Sequence, residues 1–187
     1  VTTIKADAKG TIWLASYGQG LWRFDAQAQQ IQPLPEQPER LNSAMLTDLA
    51  FAENGSIWVT SYDQGLWLLP HSQASWQQFR ANPAVKHQLP SNNLTGIWLA
   101  PQQHIWLKSP AGIYVLSHMA QRVRTIAVDA ATPTLLMHPD VFGIAQKSPH
   151  QFWIANRDGG LAEYDLNTAQ VRRWPIQPAP GVKNPPS

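Results

Sequence analysis

Four tryptophans recur at a nearly constant spacing, and this repeat constrains the fold more than any other feature of the sequence. Trp13, Trp58, Trp106 and Trp153 are separated by 45, 48 and 47 residues. Nine residues before each of them stands an aliphatic residue: Ile4, Leu49, Ile97 and Ile144. Six or seven residues after each stands a glycine followed by an aliphatic residue: Gly20-Leu21, Gly65-Leu66, Gly112-Ile113 and Gly160-Leu161. Because the offsets hold on both sides of the tryptophan, the chain consists of four copies of one structural unit.

Each unit contains four short runs of β-branched and aromatic residues separated by turn residues. In the second unit these runs are Leu46–Ala52, Ser56–Tyr62, Gly65–Pro70 and Trp76–Arg80. Asn54-Gly55 is a hairpin signal between the first two runs, because both positions tolerate positive φ. Four antiparallel strands in a period of about 45 residues are typical of a β-propeller blade. The sequence therefore predicts an all-β fold with four blades, at residues 1–34, 46–79, 94–126 and 141–174.

Composition excludes several other classes of protein. The chain has no Cys, so it has neither a disulfide framework, a Cys-ligated metal centre nor a thiol nucleophile. No apolar run approaches the 18 or so residues that a membrane-spanning helix needs. The net charge is only +2 and the basic residues form no stripe, so we expect neither nucleic acid nor a membrane surface as a partner.

Two segments carry a family resemblance. Gly10-Thr-Ile-Trp-Leu-Ala-Ser-Tyr-Gly-Gln-Gly-Leu-Trp-Arg-Phe-Asp25 and Gly55-Ser-Ile-Trp-Val-Thr-Ser-Tyr-Asp-Gln-Gly-Leu-Trp67 resemble the two-component regulator propeller repeat. Asp7, Gly10, Trp13 and Gly20 match its pattern in the first unit. The third and fourth units match more loosely, since Gln103 and His150 stand where the hairpin glycine belongs.

The resemblance implies a function and a location. Propellers of this family are typically extracytoplasmic sensor regions of bacterial transmembrane signalling proteins, whose output is often a histidine kinase or a diguanylate cyclase. We therefore expect a non-catalytic, ligand-sensing segment in the periplasm, with a small molecule or a glycan as ligand. The family's propellers carry more than four blades, and the Pro-rich tail at 175–187 has the length of a connector to another blade. We accordingly expect the remaining blades of a larger propeller as partners, and a homodimer as a further form of association.

The connectors between blades suggest where a ligand would bind. Those at Pro35–Met45, Arg80–Asn93 and Ala127–Asp140 are the variable part of the repeat, and a propeller places them beside the turns between the second and third strands. Tyrosines offer flat contact area, and an arginine can pair with an anionic ligand. The candidate binding residues in these turns are Tyr17, Gln19, Tyr62, Asp63, Gln64, Arg157 and Asp158. Ordinary solvated turns are the alternative interpretation of the same residues.

The tryptophans are interpreted mainly as packing residues. The four periodic ones are expected to pack between adjacent blades, and Trp22 and Trp67 on the opposite side of the third strand. Trp98 lies outside the repeat register, in a first strand near the central channel, and is the one tryptophan predicted to contact a ligand.

Two other function classes stay open at this stage. An enzyme similar to the streptogramin-lyase propellers would need a channel-facing His, and none of the six His lies in a predicted first strand. The sequence has no His-x-x-x-His, calcium-loop, nucleophile-elbow or Walker spacing, so no catalytic residue, metal or cofactor is predicted. A protein-interaction or dimerisation platform is the third alternative, because repeat arrays provide large surfaces.

Overall fold

The computed structural model describes most of the chain. The described residues are 1–73, 75–82, 84, 88–100, 104–117, 122–127, 140–157 and 160–175. They form four separate four-stranded antiparallel sheets, and in each sheet the strands pair in the order in which they follow along the chain. This confirms the predicted all-β fold of four-stranded blades. The predicted connector at 175–187 lies outside the described residues apart from Pro175.

Each sheet is one blade. Blade 1 contains β1 (Thr3–Ala6), β2 (Ile12–Ala15), β3 (Leu21–Asp25) and β4 (Gln30–Pro33). Blade 2 contains β5 (Leu46–Phe51), β6 (Ile57–Ser61), β7 (Leu66–Leu69) and β8 (Gln77–Phe79). Blade 3 contains β9 (Gly96–Ala100), β10 (His104–Ser109), β11 (Gly112–Ser117) and β12 (Arg122–Ala127). Blade 4 contains β13 (Val141–Ser148), β14 (Gln151–Asn156), β15 (Gly160–Asp165) and β16 (Val171–Pro175).

One short helix interrupts the strands. The helix α1 (Glu39–Asn42) lies in the connector between blades 1 and 2, and its Leu41 is fully buried. The sequence analysis did not predict it, because four residues are too few to show a helical period. No helix among the described residues has the length and apolar content needed to cross a bilayer.

The hairpin between β1 and β2 is built around Asp7. One carboxylate oxygen of Asp7 accepts hydrogen bonds from the N–H groups of Lys9 and Thr11, each at 2.9 Å, and the other accepts the indole N–H of Trp13 at 3.0 Å. Burial acts to raise the pKa of Asp7, but these hydrogen bonds outweigh it and the pKa is lowered. The motif residues Asp7, Gly10 and Trp13 thus form one local structure, in which Gly10 adopts a φ of +81°.

The hairpins between the third and fourth strands of blades 1 and 4 share another local structure. Asp25 accepts the N–H groups of Gln27 and Ala28, and Asp165 accepts those of Asn167 and Thr168. These backbone hydrogen bonds lower the pKa of both carboxyl groups. Each aspartate therefore initiates a turn.

The core lies between the blades. Three apolar clusters fill the successive blade boundaries, and Trp13, Trp58 and Trp106 are each buried in one of them. The Trp13 ring lies 5.8 Å from the ring of Phe51 in blade 2, and the Trp106 ring lies 4.4 Å from that of Phe152 in blade 4. The predicted interblade packing of the periodic tryptophans is confirmed for these three. Trp153 is only half-buried, because it lies on the side of blade 4 that faces away from blade 3.

Asp48 connects the first strands of three blades. Its carboxylate is 2.8 Å from Nζ of Lys5 in blade 1 and accepts the N–H of Ile97 in blade 3 at 3.1 Å. A β-bulge between Leu46 and Asp48 places this side chain between the neighbouring strands. The sequence analysis placed Asp48 in a first strand but did not identify its partners.

Candidate ligand-recognition face

Backbone hydrogen bonds hold the interblade connectors against the turns between second and third strands. Gly18 donates to the carbonyl of Ala44 at 2.9 Å, and Tyr62 donates to the carbonyl of Met45 at 2.9 Å. In blade 4, Arg157 donates to the carbonyl of Asp140 at 3.0 Å. We call the side of the molecule formed by these turns and connectors the connector face. Because its loops are tied to strands, the side chains on it are presented from fixed backbone positions.

A glutamine fastens the first connector to blade 1. The side chain of Gln37 accepts the N–H of Leu21 at 2.7 Å and donates to the carbonyls of Leu21 and Leu34 at 2.8 and 2.9 Å. It thereby pairs with Leu21, the first residue of β3, as another strand would. In the next connector, Asn92 accepts the N–H of Gly65 through its carbonyl and that of Ala81 through its side chain. The side-chain amides of Gln37 and Asn92 thus position the two connectors, because they form hydrogen bonds with backbone groups at or next to the ends of strands.

Buried hydroxyl groups close the turns beneath the connector face. Ser16, Ser61 and Ser109 occupy the same place in blades 1, 2 and 3, three residues after the periodic tryptophan. Each donates from its side chain to the carbonyl of the turn glycine, at 3.1, 3.0 and 3.0 Å. This repeated hydrogen bond gives the turns the same shape, so the residue that follows each serine has an equivalent position on the face.

Three exposed apolar side chains meet on the connector face at blades 1 and 2. Tyr17, Met45 and Tyr62 are 57%, 39% and 44% exposed. Met45 lies between the two tyrosines, since it forms a bridge with Tyr17 and accepts the N–H of Tyr62. We call these three residues the Tyr–Met–Tyr patch. Both tyrosines are predicted binding residues, whereas Met45 is known from the sequence only as the end of a predicted connector.

The polar candidates next to the patch make hydrogen bonds within the chain. Asp63 accepts the N–H of Met45 at 3.1 Å and so holds the middle of the patch in place. The side chain of Gln64 accepts a hydrogen bond from Arg80 at 2.6 Å. Gln19 uses its carbonyl to accept the indole N–H of Trp22 at 2.9 Å, and the residue is exposed. Gln19 is therefore exposed to solvent, whereas the hydrogen bonds of Asp63 and Gln64 position the turn of blade 2.

The candidates of blade 4 lie at the equivalent turn. Arg157 is four residues after Trp153, as Tyr17 and Tyr62 are four residues after Trp13 and Trp58. Its guanidinium group is 3.1 Å from the carboxylate of Asp140, and the side chains of Arg157 and Asp140 are 61% and 37% exposed. Asp158 lies outside the described residues. The connector face thus carries apolar rings at blades 1 and 2 and an exposed cation at blade 4.

Trp98 is separate from these residues. It lies in β9 opposite Trp106, and its ring centre is 6.2 Å from that of Trp106 and 5.8 Å from that of Phe152. The residue is half-buried and packs against the cluster between blades 3 and 4. Its contacts are those of a residue that packs between blades 3 and 4.

A groove of about 510 Å³ was not foreseen from the sequence. It lies at the boundary of blades 1 and 2, and Trp76, Leu69 and Ile57 form its apolar part. Arg23 and His71 contribute polar groups to its walls. A search for repeated columns could not identify it, because its residues come from different columns in the two blades. Within the described residues, no three His, Asp or Glu side chains converge to hold a metal ion.

Comparison with solved structures identifies the fold. The chain superimposes on the extracellular domain of BT3049 from B. thetaiotaomicron, which is described as a hybrid two component system, with a TM-score of 0.71 and 19% identity. That match covers 91% of this chain and 24% of the other. Virginiamycin B lyase from Staphylococcus aureus gives a TM-score of 0.65 at 16% identity, covering 95% of this chain and 55% of the lyase. PorZ, a surface component of the type-IX secretion system of Porphyromonas gingivalis, gives 0.64 at 17% identity, covering 90% and 26%.

The fold is a β-propeller fold. Searches against protein-family models and against curated proteins found no match. The chain spans about a quarter of the BT3049 domain and about half of the lyase. At sequence identities this low, the similarity to these solved structures concerns only the fold.

Proposed function

We propose that this chain is a non-catalytic, ligand-recognition segment of an extracytoplasmic sensor, and that its connector face contacts the ligand. The Tyr–Met–Tyr patch carries this proposal. A ligand that covers large apolar side chains at a surface gains binding free energy. Because hydrogen bonds fix the backbone around Met45, less conformational entropy is lost when the ligand binds. Two tyrosines that flank one methionine on turns held by hydrogen bonds are therefore suited to recognition.

The similarity to sensor domains supports the location. The matched parts of BT3049 and of BT4673 are described as extracellular domains of two component or one component systems. By analogy we place this segment outside the cytoplasm, in the periplasm, and assign the signalling output to another part of the same protein. Because these domains are only 19%, 12% and 13% identical to this chain, the location is an inference from fold.

The side chains indicate the chemistry of the ligand. Tyrosine rings stack on flat apolar surfaces, including the faces of sugar rings, while their hydroxyl groups hydrogen-bond to polar substituents. Arg157, on the same face but in blade 4, supplies a cation for a carboxylate or another anionic group. We therefore expect a small molecule or glycan that combines a flat apolar face with polar or anionic groups.

The experiment compares ligand binding by wild-type protein and by patch variants. The protein is screened by thermal shift against glycans and small anions, and hits are titrated by calorimetry. We expect Tyr17→Ala and Tyr62→Ala each to weaken binding about tenfold or more, as loss of an aromatic anchor does. Ile31→Ala is the matched control, because Ile31 is 55% exposed but lies in β4 at the rim. Equal affinity in all three variants would disprove a role for the patch.

The same screen separates sensing from catalysis. Virginiamycin B lyase has a similar fold, so a propeller of this kind is compatible with enzymatic activity. Each hit is therefore incubated with the protein and examined for product by mass spectrometry. Binding without product supports the sensor, whereas turnover supports the enzyme alternative.

A further inference from the structure

Arg80 lies on the connector face, directly after β8 and beside the turn of blade 2. Phe79, the last residue of β8, pairs with Leu66 of β7, and Ala81 donates its N–H to the side chain of Asn92 at 2.7 Å. The backbone on both sides of Arg80 is therefore fixed, although its side chain is exposed. A guanidinium group on a fixed backbone loses less conformational entropy on contact with a ligand than one on an unattached loop.

Gln64 orients this guanidinium group. The side-chain oxygen of Gln64 accepts a hydrogen bond from Nη1 of Arg80 at 2.6 Å. The backbone of Gln64 is itself held, because its N–H donates to the hydroxyl of Ser61 at 2.9 Å and its carbonyl accepts the side-chain amide of Gln78 at 2.9 Å. The direction of the Arg80 side chain is therefore set by blade 2 before a ligand binds.

The same hydrogen bonds connect Arg80 to the Tyr–Met–Tyr patch. One carboxylate oxygen of Asp63 accepts the side-chain amide of Gln64 at 3.4 Å, and the other accepts the N–H of Met45 at 3.1 Å. The amide of Gln64 thus has a negative group at its nitrogen and a positive group at its oxygen. An anionic ligand on the patch is repelled at Asp63 and attracted at Arg80, so its charged group is directed toward Arg80.

The blade fold does not require this network. In blade 1 three other residues occupy the columns of Asp63, Gln64 and Arg80: Gly18, Gln19 and Pro35. Blade 1 nevertheless forms the equivalent turn, and Ser16 closes it with the same hydrogen bond to the turn glycine that Ser61 makes in blade 2. The shape of the turn therefore does not account for a positioned arginine in blade 2.

The positive charge of Arg80 is not neutralised by the described part of the chain. Gln64 is a neutral amide, and no carboxylate among the described residues forms an ion pair with Arg80. Arg157 differs, because the carboxylate of Asp140 is 3.1 Å from its guanidinium group. An external anion at Arg157 competes with Asp140, whereas one at Arg80 meets an uncompensated charge.

We propose that Arg80 selects ligands that carry a carboxylate next to the ring that covers the Tyr–Met–Tyr patch. A guanidinium group binds a carboxylate through charge-assisted hydrogen bonds, which fix the direction of the ligand as well as adding affinity. Arg80 is then a specificity-determining residue, and Gln64 is the residue that positions it. This proposal rests on the proposed function and narrows its ligand class to acidic compounds.

The test compares two probes that differ in one group, p-nitrophenyl β-D-glucuronide and p-nitrophenyl β-D-glucoside. Calorimetric titration of the wild-type protein should show about five- to tenfold tighter binding of the glucuronide, and added salt should reduce this preference. Arg80→Met should remove the preference, and Arg80→Lys should restore part of it. Arg23→Met is the matched control, because Arg23 is an exposed arginine in β3 away from the connector face, and it should keep the wild-type preference.

Gln64→Glu tests the charge without removing the arginine. A carboxylate at this position pairs with Arg80 and cancels its charge, so we expect this variant to lose the preference for the glucuronide as well. Circular dichroism verifies that each variant is folded. Equal affinity of the wild-type protein for the two probes, no binding of the glucuronide at millimolar concentration, or a preference that survives Arg80→Met would each overturn the proposal.

Tyr62→Ala separates this proposal from the proposed function. If the patch binds the ring, Tyr62→Ala weakens the binding of both probes, whatever Arg80 contributes. Weaker binding of both probes by Tyr62→Ala, together with an unchanged preference in Arg80→Met, would refute the role of Arg80 alone. Unchanged binding of both probes by Tyr62→Ala would refute the patch itself.

Discussion

At the residue scale, Asp7 shows what the repeat motif accomplishes. It accepts three hydrogen bonds in the β1–β2 hairpin, one of them from the indole of the periodic Trp13. The corresponding indole N–H of Trp106 in blade 3 is buried with no acceptor among the described residues. An unpaired buried donor costs about 1 to 3 kcal/mol, so the aspartate makes burial of its tryptophan more favourable.

Replacing Asp7 should change both stability and its dependence on pH. Asp7→Asn keeps only one of the two acceptor oxygens, so either the Trp13 indole or the N–H groups of Lys9 and Thr11 lose their acceptor. The substitution should lower the free energy of unfolding by about 1 kcal/mol at neutral pH. The folded pKa of Asp7 is below its ordinary value of about 4, so its contribution is complete above that value and is lost as pH falls through the folded pKa. Urea unfolding from pH 7 to pH 3 should therefore show the two proteins converging below about pH 4.

A carboxylate in the equivalent hairpin of blade 2 provides the control for this prediction. Glu53 is exposed, and none of the described residues forms a hydrogen bond or ion pair with it. Glu53→Gln should leave the free energy of unfolding unchanged within about 0.5 kcal/mol. A stability difference between wild type and Asp7→Asn that stays constant down to pH 3 would contradict the assigned role of the Asp7 carboxylate.

At the scale of the elements, the turns that open onto the connector face depend on close backbone approach. Gly65 has a φ of +77°, and a Cβ there would overlap the carbonyl of Phe79. Gly18, in the corresponding turn of blade 1, has a φ of +68° but nothing within 4 Å of an added Cβ. Comparing alanine substitutions at the two glycines therefore separates the cost of the positive φ from the cost of the steric overlap with the Phe79 carbonyl.

Alanine substitutions at these two positions should differ in cost. Gly18→Ala should lower the free energy of unfolding by about 1 to 2 kcal/mol, the cost of a left-handed conformation. Gly65→Ala should lower it by about 3 kcal/mol or more, because β7 and β8 must also move apart. Chemical denaturation measures both. Equal losses would show that the approach of the Phe79 carbonyl does not constrain the turn.

The strands were predictable and the connectors were not. The second unit was predicted to contain strands at Leu46–Ala52 and Ser56–Tyr62, and β5 and β6 lie within these ranges. Alternating apolar residues and turn glycines determine such strands locally. The helix α1 has only four residues, and the pairing of Gln37 with the first residue of β3 joins positions 16 residues apart along the chain. No local pattern contains that information.

At the scale of the whole molecule, Asp48 links the first strands of three blades. Asp48→Ala removes the acceptor for Ile97 and the partner of Lys5, and should lower the free energy of unfolding by about 2 to 3 kcal/mol. Lys5→Met removes only a partly exposed ion pair and should cost less than about 1 kcal/mol. Urea denaturation of both variants tests this difference. A cost for Asp48→Ala as small as that for Lys5→Met would show that the carboxylate does not hold the blades together.

The sequence by itself determined the number of blades, the strands within them and the columns of packing residues. It could do so because alternation along a strand and turn chemistry act over a few residues, and the repeat displays them four times. Only the tertiary structure placed Met45 between Tyr17 and Tyr62 and joined Asp48 to Lys5 of blade 1 and Ile97 of blade 3. These features depend on contacts between different blades, which the local pattern of any one blade does not contain.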